Sequence, residues 1–319
     1  MKTAMSDLER FANEVLLPDH INLTRAVLVM GEFEYPHLDI DAYIGQLDRL
    51  AEHARHYLRE DRSEHSAQDL ADFLFNRLGF VGNYQHYHDS KNSFLNEVID
   101  RRLGIPITLS LVYLEVANRL GFEVEGVGLP GHFIVRVTCM PTRLGEFDYI
   151  YLDPFNRGAR MSIDDCRQRV QTLTEGKLHF QIGFLNPVGP RHILTRMLNN
   201  LKNVYAHQND LERTLAVIER LLVINPLDPA EMRNQAIVHT NLGQRRRAEE
   251  SRRSQHAQDL GRVLRRRRQG QEGRPHPGGA WWPELAGLHH LRVGGAGRGR
   301  CQVLPRCLGQ ARPQGLEQR

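Results

Sequence analysis

The stretch KNSFLNEVIDRRLGIPITLSLVYLEVANRLGFEVEGVGLPGHFIVRV, residues 91–137, decides the fold. Its centre, Ile107 to Leu120, is apolar almost all round, which predicts a helix buried on every side. Pro106 suits the first turn of that helix, where its missing N–H would go unpaired in any case, and Gly121 closes it. Beyond Gly121 the apolar period shortens. EVEGVGL, HFIVRVTC and DYIYLD carry Val, Ile, Phe and Tyr in strand-like runs, with Pro130-Gly131, Pro141 and Gly145 as turns. A buried helix followed by three short antiparallel strands, one beginning at His132, is an α+β core.

Upstream, residues 6–29 and 38–60 carry helical spacing, as in Leu47, Leu50, Ala54 and Leu58, and predict two or three packed helices. A further run from Leu70 to Leu78 ends at Gly79, and GNYQHYHDSKNSFLNEV, residues 82–98, reads as a polar aromatic loop. Downstream, Ser162 and Asp165 form a capping box that opens another helix. From Arg191 a 34-residue period appears: Leu198, Leu201, Tyr205, Ile218 and Pro226 fall at tetratricopeptide (TPR) spacings, with Thr214 and Lys202 replacing the usual Ala and Gly. A second repeat starts near Pro229 and then dissolves. One and a half repeats leave apolar faces without neighbours.

The formal net charge of +4 conceals two unlike parts. Residues 244–319 hold 17 Arg and six carboxylates, a net +11, so residues 1–243 are net −7. The same 76 residues contain no Lys, Ile, Phe, Tyr, Asn, Met or Thr. That composition fits a GC-rich gene read out of frame from near residues 244–252, or otherwise a disordered segment. The competing reading is a basic arm for nucleic acid, since RRRR at 265–268 can neutralise phosphates. Complete avoidance of Lys and the adjacent Trp281 and Trp282 speak against it. Nucleic acid is a partner only if this tail is genuine. No apolar run reaches membrane-spanning length, and the start lacks the apolar core of a secretory signal, so a cytoplasmic protein is expected. Cys139, Cys166, Cys301 and Cys307 follow no metal or disulfide spacing.

The chemistry-bearing pattern is a helix, then a strand headed by His132, then a strand ending at Asp153. In chain order this is the layout of a papain-like nucleophile, base and orienting carboxylate, the nucleophile being a thiol or hydroxyl at the helix N-terminus. On the stretch 91–137 and on YLDPFNRG at 151–158, the chain resembles the transglutaminase-like superfamily. It resembles most the SirB-type family, regulators of sirC expression, which join such a core to TPR repeats. The resemblance implies that His132 and Asp153 hold the base and orienter positions and that Pro106 stands where the superfamily has its cysteine. Candidate substitutes for the thiol are Cys166, near a helix N-terminus, and Thr108 and Ser110 on the buried helix itself, where hydroxyls commonly satisfy backbone carbonyls instead. Cys139, seven residues after His132 on one strand, faces the other side of the sheet. Asn92, Glu97 and Pro106 are candidate pocket-lining residues, and Lys202 and Tyr205 candidate protein-binding ones, although Tyr205 also suits a knob between paired helices. His86, His88 and Asp89 sketch a metal site only faintly, and neither a metal nor a cofactor is expected.

On this reading the chain comprises N-terminal helices (1–60), a papain/transglutaminase-like core (61–185), TPR-like helices with a truncated second repeat (186–243), and an Arg/Gly-rich tail (244–319). The expected function is that of a non-catalytic regulatory or accessory protein that binds a protein or peptide through its TPR-like segment and has no membrane partner. The alternative is a cysteine- or hydroxyl-dependent hydrolase or acyltransferase using His132 and Asp153.

Overall fold

A computed structural model describes residues 5–16, 21–58, 63–139 and 148–272. The tail from 273 onward, with Cys301, Cys307, Trp281 and Trp282, lies outside the described residues. The chain forms two compact units, residues 1–258 and 259–319, and the sheet, its packed helices and the candidate site all belong to the first.

The N-terminal layer comprises α1 (Asp7–Leu16), α2 (Leu23–Met30), α3 (Ile40–Arg55) and α4 (Glu64–Asp72). Side chains start all four: Ser6, Asn22, Asp39 and Ser63 accept the backbone N–H groups of Glu9, Arg25, Ala42 and Ser66, pairing donors that a helix start leaves free. After α4 the chain takes one wide turn through Phe73–Arg77. Gly79, at φ +77°, then turns the chain toward the two-residue strand β1 (Val81–Gly82), which pairs in parallel with β2 (Leu103–Gly104). The predicted loop at 82–98 is only partly irregular. Residues Ser90–Ser93 form a short 3₁₀ turn, and Leu95–Arg101 form the helix α5, because Leu95, Val98 and Ile99 present a buried face.

The predicted central helix is α6 (Pro106–Arg119), with every residue from Pro106 to Ala117 buried. It packs on one face of an antiparallel sheet built from β3 (Glu123–Val127), β4 (Ile134–Cys139), β5 (Asp148–Asp153), β6 (Ala159–Met161) and β7 (Pro187–Val188), in the order β6-β5-β4-β3-β7. Two of these five strands were not anticipated, since ARM and PV are too short to show an alternation. The strand after the LPG turn starts at Ile134, so His132 ends the turn and does not open the strand. Val135, Val137 and Cys139 join the α6 side of the core. Ile134 joins a second cluster on the opposite face with Val170 and Cys166 of α7 (Ile163–Leu173). Ser162 and Asp165 open α7 with both arms of the predicted capping box.

Three helices complete the described chain: α8 (Pro190–His207), α9 (Leu211–Ile224) and α10 (Pro229–Glu272). The pair α8 and α9 forms the expected hairpin, and α10 begins at Pro229 as the repeat predicts. The rest of the segment expected to be out-of-frame or disordered, residues 273–319, lies outside the described residues, and the Arg-rich stretch before it is helical as far as Glu272. Arg, Glu, Gln and Ala dominate this stretch and no proline interrupts it, so local propensity favours helix. No helix among the described residues is long and apolar enough to cross a membrane.

Candidate functional site around His132 and Asp153

Leu129-Pro130-Gly131-His132 is a tight turn, closed by the His132 N–H donating to the Leu129 carbonyl at 3.0 Å. Pro130 presets the second position and Gly131 takes φ +75° at the third, the pattern of a type II turn. Arg196 of α8 fastens the turn from outside, its Nη2 donating to the carbonyls of Leu129 (2.9 Å) and His132 (2.5 Å). Its guanidinium lies over the Phe133 ring, and burial lowers its pKa. The helical hairpin therefore takes part in holding the histidine's backbone.

Asp153 ends β5 and caps the 3₁₀ turn Pro154–Asn156, its Oδ1 accepting the Asn156 N–H at 3.2 Å. Its other oxygen lies 2.9 Å from His132 Nε2 and 3.5 Å from Arg169 Nη2. The His132–Asp153 contact is close but off the line of a hydrogen bond. Both side chains are buried, at 4% and 0% exposure, with the Phe155 ring 6.2 Å from the imidazole. The imidazole and the carboxylate are thus side by side, and Nδ1 is left as the nitrogen that would face a nucleophile.

The candidate substitutes for the nucleophile have other engagements. Thr108 Oγ1 accepts the Ile105 N–H and donates to the Asn92 or Ile105 carbonyl, so it completes the start of α6. Ser110 Oγ lies 3.4 Å from the Phe133 carbonyl. Cys166 is fully buried in the apolar cluster across the sheet from α6, and burial pushes its thiol up to about 11, with Asp165 and Asp153 adding to the rise. At neutral pH it holds its proton. Cys139 is buried on the opposite face, among the α6 contacts. Pro106 occupies the first position of α6, one turn before Ser110 and therefore on the same helix face, the face turned to the chain that follows His132.

Asn92 is a hub of the loop before α6. Its Oδ1 accepts from Asn83 and Arg101, its Nδ2 donates to the His86 and Tyr87 carbonyls, and its own carbonyl accepts from Thr108. Glu97 lies 3.7 Å from Arg101 and also bonds Tyr35. His86 and Asp89 work through turn bonds, the His86 N–H donating to Asn83 and Asp89 accepting from the Lys91 N–H. Lys202 pairs with Glu231 at the start of α10, and Tyr205 is 2% exposed, edge-on to Phe33 with Arg213 above its ring. The expectation that Lys202 and Tyr205 face a binding groove thus meets one ion-paired and one buried side chain. Sequence reasoning missed Arg196 and Arg169, because a cation that recognises carbonyls or a carboxylate across the fold leaves no local pattern.

Comparison with known proteins places two family matches along the chain. Residues 41–199 match the family described as Transglutaminase-like superfamily, and residues 201–251 match a Tetratricopeptide repeat. The chain is 36% identical over 231 residues to the UPF0162 protein of Xylella fastidiosa (strain 9a5c), covering 70% of this chain and 79% of that protein. It is 24% identical over 210 residues to Protein SirB1 of Salmonella typhimurium (strain LT2), covering 62% of this chain and 71% of that one. A shorter likeness, 35% over 131 residues, relates 40% of this chain to 20% of F-box only protein 21 from Mus musculus. No solved structure matches.

Proposed function

Because the chain belongs to the family of the UPF0162 proteins and SirB1, a transglutaminase-like core followed by TPR helices, we propose that it is a regulatory protein that binds other proteins and performs no thiol chemistry. The observation that carries this reading is Pro106 at the first position of α6, where the fold would present a nucleophile to His132. A thiolate there would gain from the helix N-terminus and from the imidazole; a proline ring offers no atom to deprotonate. Cys166 keeps its proton well above neutrality, and Thr108 serves the backbone. In this reading the His132–Asp153 contact works structurally, tying the LPGH turn to the end of β5 inside the core. The TPR helices carry the interaction.

Site-mapped labelling tests the proposal. The full chain is treated separately with iodoacetamide and with a fluorophosphonate at neutral pH, digested, and the modified peptides identified. Neither Cys139 nor Cys166 should react before unfolding, and Thr108 and Ser110 should stay unmodified throughout. Labelling of any of the four in the folded chain that disappears in His132→Ala would replace this reading by the hydrolase or acyltransferase alternative. The close approach of His132 Nε2 to Asp153 favours that alternative.

A further inference from the structure

We propose that the cleft between the loop before α6 and the C-terminal half of α8 is a binding site for an extended, uncharged stretch of peptide. The proposal rests on the protein-binding reading of the TPR helices and gives it a location. The cleft has a volume of about 540 Å³. That is within the range of about 300–1,000 Å³ usual for ligand sites.

Several of its polar side chains are unengaged, although His207 Nδ1 meets the Asn203 carbonyl at 2.6 Å. Ser93 lines the cleft at 2% exposure, yet its hydroxyl makes no hydrogen bond with any described residue. A ligand atom entering the cleft would give that hydroxyl a partner. Asn200, Asn203 and Gln208 line the opposite wall, and their carboxamides likewise bond no described residue. A carboxamide presents a donor and an acceptor together, which complements the N–H and C=O of a peptide backbone.

Charge narrows the ligand. Among the described residues no Lys, Arg, Asp or Glu lines the cleft; its ionisable groups are Tyr87, His88 and His207, so it carries no fixed charge to favour a charged ligand, and no set of three or more His, Cys, Asp or Glu there could hold a metal ion. Ile105 and Val204 supply apolar surface between the amides, suited to side chains of the bound segment. Length agrees as well. The eight steps from Asn200 to Gln208, the cap of α8, rise about 12 Å. An extended segment of about four residues covers that distance. Residues 201–207 of α8 fall within the TPR match, so the cleft is continuous with the segment inferred to bind proteins.

The test selects phage-displayed random dodecapeptides on the immobilised full chain and titrates the recovered sequences, synthesised with acetylated and amidated ends, by fluorescence polarisation. Asn203→Trp, at an exposed position, fills the cleft and should weaken binding at least about tenfold, and Asn200→Ala several-fold, as loss of one to two hydrogen bonds implies. Should Asn203→Trp fail to give wild-type circular dichroism, Asn203→Glu, which sets an unpaired charge against the peptide, takes its place. Peptides that bind these variants like the wild type but lose affinity in Met232→Asp on α10 would overturn the cleft and leave the protein-binding reading standing. Recovery of no peptide, or of peptides indifferent to every variant, would overturn both.

Discussion

Gly131 and Gly176 both hold φ values above +70°, but they differ in what a side chain would meet. A Cβ on Gly131 would come 3.1 Å from Leu173 Cβ, whereas one on Gly176 would meet nothing within 4 Å. Gly176→Ala should therefore cost only the backbone term, about 1 kcal/mol. Gly131→Ala should cost about 2 kcal/mol or more, since packing strain adds to it. Urea denaturation of both variants measures the difference, and equal losses would mean that Leu173 yields freely. Pro106 invites the opposite experiment. Pro106→Cys places a thiol at a helix N-terminus on the His132 side; burial there slows any reagent, so the readout is the comparison, and iodoacetamide at pH 7 should alkylate Pro106→Cys faster than the same variant carrying His132→Ala. Reaction at equal rates in both backgrounds would show that the helix start does not face the imidazole. Cys166 makes a pH prediction as well. Burial raises its pKa from 9.0 to about 11, so in that window the unfolded chain sheds a proton that the folded chain keeps. Stability contributed at this site is fully present below pH 9 and is lost as pH rises toward 11. In Cys166→Ala the fall in urea midpoint across that window should be shallower than in the wild type.

At the scale of elements, α9 is fastened to the N-terminal layer by side chains far apart in sequence. Arg220 is 1% exposed, with Nη2 2.5 Å from Asp7 of α1 and its guanidinium over Phe33. Arg213 makes two contacts with Glu34, at 2.6 and 3.0 Å. Near Arg220, Glu32 is 5% exposed and lies 3.0 Å from Arg10; its pKa is raised because burial outweighs the nearby arginines. Arg220→Ala removes a buried cation from among these acids and leaves a cavity over Phe33, and should destabilise the chain by about 3 kcal/mol in urea titrations. Asp7→Asn, at a half-exposed position, should cost about 1 kcal/mol or less. Such joints mark the limit of what a sequence reveals. The buried helix from Pro106, the LPGH turn, the Ser162 capping box and the start of α10 at Pro229 were legible, because each depends on residues within a turn or two of one another. The short strands β6 and β7, the helix α5 inside an apparent loop, and Arg196 and Arg169 at the candidate site were not. For the two arginines the reason lies in partners 16 and 67 positions away along the chain, Asp153 for Arg169 and Leu129 for Arg196.

At the scale of the whole chain, the composition break at residue 244 and the incomplete repeat bear on each other. In a TPR array the first helix of each repeat is covered by its own second helix, and among the described residues no helix follows α10 to supply that cover. Met232 and Ile237 are 52% and 51% exposed, and Leu227, just before the helix, is 85% exposed. The TPR match ends at residue 251, within the stretch where Lys, Ile, Phe and Asn vanish from the sequence. An out-of-frame origin for the segment beyond that break accounts for both facts, since a shifted frame would delete the covering helix and raise Arg and Gly together. Reading the gene in its other two frames across residues 244–252 should then reveal a continuation with apolar residues at helical spacing and a further 34-residue period. If neither frame continues the repeat, the basic segment is the chain's own and the alternative must be met by experiment. Its net charge of +11 would then give the full chain weak, steeply salt-dependent binding to duplex DNA. A chain ending at Gln258 should retain the urea midpoint of the first compact unit and lose most of that binding, because residues 1–243 carry a net −7.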